Sequence, residues 1–104
     1  NAYINSGTKI GDQCIINNSS SINHDNEISN FVSTGPSVTT GGDVKIEENC
    51  FLGIGCTIKH QIKISKDTVI GGSSYVNKNC NKNSVYFGVP AKKIRKRKAS
   101  DKYL

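Results

Sequence analysis

Residues 41–72 read GGDVKIEENCFLGIGCTIKHQIKISKDTVIGG, and a large aliphatic side chain returns at every sixth position: Ile46, Leu52, Ile58, Ile64 and Ile70. An α-helix would repeat its apolar residues near 3.6 and a half-buried strand near 2, so neither explains a period of six. The phase runs outward in both directions. It passes back through Thr40, Thr34, Ile28, Ile22, Ile16 and Ile10 to Ile4, and forward to Val76. That makes thirteen positions in one unbroken phase, eleven of them large aliphatics. The fourth residue after each forms a second set: Thr8, Cys14, Ser20, Asn26, Val32, Val38, Val44, Cys50, Cys56, Ile62, Thr68, Ser74 and Cys80. Most of these are small or β-branched, which marks a second inward-facing position. Glycine directly follows the phase position at 11, 35, 41, 53 and 71.

A hexapeptide period is the signature of a parallel β-helix. Each hexad supplies one short strand and one turn, and three hexads close a triangular coil of 18 residues. Successive coils stack at the interstrand spacing of about 4.8 Å, so thirteen hexads make a little over four coils, roughly 20 Å of stack. The fold class expected is all-β, with a parallel β-helix over residues 1–84 and a short cap or tail over 85–104 whose basic end is flexible. All four cysteines, Cys14, Cys50, Cys56 and Cys80, take the small inward position. Without paired CxxC spacing they read as buried apolar filler rather than metal ligands, which fits a reducing, cytoplasmic compartment.

At 104 residues the chain is one domain, and its 35% hydrophobic content suits a narrow core better than a round one. There is no apolar run near 18 residues and no signal-peptide pattern, so membrane insertion is not expected. The chain has no methionine and opens in the middle of a repeat, which suggests a fragment lacking its N-terminal part. The net charge of +6 is concentrated in KKIRKRK, residues 92–98. Such a run is either a solvated terminus or a surface for phosphate or an anionic membrane. With no aromatics interleaved and no basic stripe elsewhere, nucleic acid is not an expected partner.

A lap of 18 residues also decides which turn residues stack. His24 lies under Gly42, then His60, then Lys78, while a second corner carries Asn18, Pro36, Ile54 and Gly72. A turn imidazole is most often merely solvated. Here Asp25 adjoins it, and Gly42 above it leaves a backbone N–H uncovered. That combination suits a general base beside a donor able to polarise a carbonyl. His60 is two coils away, roughly 10 Å along the stack, and reads as surface. Two histidines so placed are too few for a three-histidine zinc site, and the Thr-x-Thr ladder of an ice-binding face is absent.

The motifs INHDNEIS, GGDVKI, FLGIGCTI, VIGGSSYV and VYFGVPAKKIR, in that order, resemble the left-handed β-helix acyltransferases of bacterial sugar pathways. The nearest branch is the sialic acid O-acetyltransferase-like family, which includes N-acetyltransferases of nucleotide-activated amino sugars. The likeness covers about Ile4 to Arg95. It implies a left-handed coil, a homotrimer and acetyl-CoA as co-substrate, with no metal. By the same resemblance His24 is the general base and Asp25 holds its ring or helps pass the proton. The Gly42 N–H holds the thioester oxygen, Ile54 and Gly72 line the pantetheine arm on the facing subunit, and Gly88, Lys92 and Lys93 serve the adenosine end and its phosphates. Several relatives carry a second histidine where this chain has Ser33. Relatives also begin with a nucleotide-fold domain that grips the sugar nucleotide, and that domain is expected to be missing from this fragment.

The function expected is transfer of acetyl from acetyl-CoA to an amino or hydroxyl group of a nucleotide-activated sugar in surface glycan synthesis. Two other readings remain open from sequence. One is a non-catalytic trimeric scaffold in which His24 is an ordinary turn residue. The other is an acyltransferase with a different acceptor, such as sialic acid, serine or a simple saccharide.

Overall fold

A computed structural model describes residues 2–98. The chain winds as a parallel β-solenoid of short strands disposed in three sheets. The first sheet stacks β1 (Tyr3–Ile4), β3 (Ser21–Ile22), β6 (Thr39–Thr40), β9 (Thr57–Ile58) and β12 (Tyr75–Val76). The second stacks β2 (Lys9–Ile10), β4 (Glu27–Ile28), β7 (Lys45–Ile46) and β10 (Lys63–Ile64). The third holds β5 (Ser33–Thr34), β8 (Phe51–Leu52), β11 (Val69–Ile70), β13 (Ser84–Gly88) and β14 (Ala91–Lys96). No helix occurs among the described residues.

The register is the sequence period made solid. Ile4 pairs with Ile22, Ile22 with Thr40 and Thr40 with Ile58, and the second sheet repeats the pattern through Ile10, Ile28, Ile46 and Ile64. The phase residues from Ile22 to Val76 are all buried, as are the second-set residues from Ser20 to Cys80. Each fills the prism against copies of itself one coil above and below, so the core is a column of stacked side chains rather than a sphere.

Both ends depart from the strict period. In the first coil Ile4 and Ile10 are exposed and Ile16 is only half-buried, because among the described residues that coil is covered on one side alone. At the other end the last lap is short: Val69 pairs with Val85 and Ile64 bridges to Cys80, each an offset of sixteen residues. The chain then leaves the solenoid as an antiparallel hairpin, β13 against β14, laid on the edge of the third sheet. Much of the basic run expected to be flexible is therefore strand, as far as Lys96. Arg97 fastens it further, with its N–H donating to Asn83 O (2.8 Å) and its guanidinium to Asn49 O (2.6 Å). Residues 99–104 lie outside the described residues.

One regularity was not read from the sequence. The third residue after each phase position from Ile4 to Ile70 has positive φ, from Gly7 and Gln13 through Asp25, Asp43, Gly55 and Asp67 to Ser73. A chain that turns through a triangle's corner in two residues places the second in the left-handed region. That region favours glycine and tolerates Asn and Asp best among the rest. Two of the glycines and most of the Asx and serine turn residues follow from this.

Candidate functional site

His24 and Asp25 form the turn between β3 and β4, the first corner of the solenoid. His24 Nδ1 lies 3.1 Å from Asp25 Oδ2, with side chains 55% and 60% exposed. An Nδ1–H donated to that carboxylate leaves Nε2 as the proton acceptor. Asp25 holds its position through two features of the coil below: its N–H donates to Ser6 O (3.1 Å), and its Oδ1 occupies the space that a side chain on Gly7 would fill.

The stacking read from the 18-residue lap is present. Asp43 N–H donates to His24 O (3.0 Å) and Gln61 N–H to Gly42 O (2.9 Å), so His24, Gly42 and His60 form one vertical column. The imidazole lies against the Gly42 backbone so closely that a Cβ at 42 would collide with Nε2 and Cε1. The Gly42 N–H makes no hydrogen bond among the described residues. A proton-accepting nitrogen and an unspent amide donor thus share one small, open surface.

Asp43 was missed at the sequence level, although GGDVKI was singled out. It stands one lap above Asp25, and His24, Asp25 and Asp43 each offer a donor atom within 4.8 Å of the others. The signal was the same 18-residue step applied to Asp25 instead of His24. Two carboxylates from successive coils thus stand beside one ring. These are also donors a metal could use, but all three side chains are open to water and Nδ1 already faces Asp25.

The remaining expected residues gather on a different edge, between the third and first sheets. Ser73 N–H donates to Ile54 O (2.8 Å), a Cβ on Gly72 would touch Ile54 Cγ2 at 3.0 Å, and Gly88 N–H donates to Ser74 Oγ (3.0 Å). Ile54 is exposed, and Lys92 and Lys93 project from β14 beside Phe87 and Tyr86. Within one chain the two groups occupy different edges of the prism, and the fold does not bring them together. Two concavities of the single chain lie elsewhere again, one at the second corner among Ser29, Asn30, Glu47, Glu48 and Lys66, another beside Arg97. They are shallow and polar and hold neither histidine.

Burial pushes the thiols of Cys50, Cys56 and Cys80 up to about 12 from 9.0, so they are packing groups and not nucleophiles.

Repeat, topology and register define a hexapeptide-repeat parallel β-helix. Residues 43–78 match the bacterial transferase hexapeptide family (six repeats). Over 58 residues, 56% of the chain, the sequence is 43% identical to the galactoside O-acetyltransferase of Lactococcus lactis subsp. lactis (strain IL1403), covering 28% of that protein. Its fold matches the GDP-perosamine N-acetyltransferase of Caulobacter crescentus, solved as a mutant with CoA and GDP-perosamine, at a TM-score of 0.87 and 30% identity over 88% of this chain and 44% of that one. It also matches the acetyltransferase domain of PglB from Neisseria gonorrhoeae FA1090 in complex with acetyl coenzyme A, at a TM-score of 0.88 and 22% identity over 89% of this chain and 45% of that one. The fold of this chain is thus that of the hexapeptide-repeat acetyltransferases. The chain spans less than half the length of these three relatives.

Proposed function

We propose that this chain is the acetyl-CoA-binding β-helix of a sugar acetyltransferase, with residues 1–84 carrying the chemistry and the C-terminal hairpin and tail closing the cofactor groove. The observation that carries the proposal is the His24–Asp25 pair seated on Gly42, whose amide is unspent. His24 Nε2 takes the proton of the acceptor amine or hydroxyl as it attacks the thioester carbon, and Asp25 steadies the imidazolium. The Gly42 N–H receives the negative charge that develops on the thioester oxygen. Collapse of the tetrahedral intermediate expels coenzyme A as a thiolate, which the proton on His24 neutralises. The cofactor lies between copies of the chain, with His24 and Gly42 on one wall and Ile54, Gly72, Gly88, Lys92 and Lys93 on the other. In this reading the working unit is a homotrimer, and the use of acetyl-CoA and a sugar nucleotide supports a cytoplasmic location.

Replacing His24 with alanine in the whole protein lowers turnover by about 10²–10⁴, the share of a general base, while coenzyme A still binds. Calorimetry with coenzyme A separates this reading from a scaffold, because a scaffold gives no saturable heat. Two acceptors have specific support. The perosamine enzyme, aligned over most of the chain, favours an amino group on a nucleotide-linked sugar. The galactoside enzyme, more alike over a shorter stretch, favours a hydroxyl on a simple sugar. Assaying both acceptor types against acetyl-CoA decides between them; transfer to neither, with intact protein, removes the sugar acetyltransferase reading.

A further inference from the structure

Among the described residues the inward positions that are polar include Ser20, Asn26, Thr34, Thr40, Thr68 and Ser74, and two of them, Asn26 and Thr40, meet directly behind His24. Asn26 holds a second-set position that is valine at 32, 38 and 44, and Thr40 holds a phase position flanked by Ile22 and Ile58 in its sheet. Both are 0% exposed. They meet: Thr40 Oγ1 donates to Asn26 Oδ1 at 2.5 Å, and Thr40 Oγ1 accepts the Asn23 N–H at 3.2 Å. The Asn26 amide then spends both of its protons on two carbonyls of the candidate site, Gly41 O at 2.9 Å and His24 O at 3.1 Å.

The geometry matters because Gly41 O and the Gly42 N–H belong to one peptide plane. In a trans peptide the two point in opposite directions. Pinning the carbonyl inward therefore aims the amide outward, at the place where the thioester oxygen would lie. Two consecutive glycines give that segment wide conformational freedom, so an anchor has something to restrain. The second bond ties the same side chain to the carbonyl of the His24 peptide. One buried amide thus fixes base and oxyanion donor relative to each other.

We propose that Asn26, supported by Thr40, is a positioning residue that orients the Gly42 N–H and the His24 backbone for acetyl transfer. The inference rests on the acetyltransferase reading above, but its test has an arm that does not. The variant Asn26→Val/Thr40→Val puts into both positions the residue type the fold already carries at equivalent sites. The Asn26–Thr40 pair goes as a unit, so neither side chain is stranded, but the Asn23 N–H and the Gly41 and His24 carbonyls each lose a partner. The variant is therefore expected to fold, with a modest fall in melting temperature. The kcat is expected to fall by about 10²-fold, the scale of a lost oxyanion donor, with KM for acetyl-CoA changed little. Asn26→Ser, which can reach the equivalent carbonyl as Ser20 Oγ reaches Gly35 O at 3.3 Å, is expected to recover part of the kcat.

The independent arm is ¹⁵N relaxation of the folded protein. The order parameter at Gly42 is expected to drop from the rigid-backbone value of about 0.85 towards 0.6 in the double variant, with strand amides unchanged. Unchanged order at Gly42 overturns the proposal, as does unchanged kcat in a folded double variant, or a kcat loss accounted for by the fraction unfolded at the assay temperature. A wild-type protein without transferase activity removes the acetyltransferase reading alone, and loss of order at Gly42 in the double variant then still supports the anchor.

Discussion

At the scale of single residues, Gly42 is bound to the placement of His24. Its Cα is the floor on which the imidazole rests, and any Cβ there collides with the ring. The backbone at 42 has ordinary φ, so alanine costs the fold little; what must move is the side chain of His24. Gly42→Ala is expected to cut kcat by about 10²-fold while the melting temperature stays near wild type, since small misplacements of a reacting group carry penalties of that size. Wild-type kcat in that variant would show that the ring need not sit where it does. The buried thiols give a second prediction. Cys50, Cys56 and Cys80 ionise near 12 in the fold, against 9.0 for a free thiol, because burial disfavours the thiolate. Their folded values are raised, so the stabilisation they contribute is complete below pH 9 and drains away as pH climbs from 9 to 12. The loss is about 1.4 kcal/mol per pH unit for each thiol, because the unfolded chain releases protons that the folded chain keeps. Denaturant melts between pH 8 and 11 measure it: the variant Cys50→Val/Cys56→Val/Cys80→Val should show a distinctly shallower alkaline decline.

At the scale of elements, the hexad sets what could be read in advance and what could not. Strand positions, register and the stacking of His24 under Gly42 all follow from counting in sixes and eighteens, because in a solenoid a fixed lap converts sequence distance directly into contact. Counting fails where the lap changes. The offset of sixteen between Val69 and Val85 and the hairpin of β13 and β14 answer to the need to cover the last coil, and no periodicity announces them. The anchor formed by Asn26 was visible only as an inward position filled by the wrong chemistry, and Thr40 only as a gap in the run of aliphatics. Recognising that the two gaps touch required coordinates. The positive-φ turn position was equally hidden, since serine, glutamine and phenylalanine occupy it beside the expected Gly, Asn and Asp. Phe31, at φ 60, is the poorest fit, a bulky residue half exposed in the left-handed region. Phe31→Asn is expected to raise stability by about 0.5–1 kcal/mol, read as a higher denaturation midpoint with an unchanged slope. A lower midpoint would mean that the ring is held by contacts worth more than the backbone strain.

At the scale of the whole molecule, the two halves of the proposed site stand on separate edges of one rigid prism, and no hinge lies between them. His24 and Gly42 occupy the corner between the first and second sheets, while Ile54, Gly72 and Gly88 occupy the corner between the third and first. A site using both must therefore be made by two copies, each lending a different edge. A contact of that head-to-tail kind closes on itself when the rotation between copies is a third of a turn, giving three identical sites in a ring. Sharing of this sort has a consequence that no monomeric or self-contained site can imitate. His24→Ala destroys one wall and Gly72→Trp blocks the other, so each variant alone should form inactive trimers. When the two are unfolded together in equal amounts and refolded, some interfaces join the intact His24 edge of one copy to the intact Gly72 edge of its neighbour. Random mixing gives about a quarter of the interfaces that composition, and about a quarter of wild-type activity should return. Mixed trimers that form, as judged by mass, yet stay as inactive as their parents would place both walls on the same copy and exclude the shared groove.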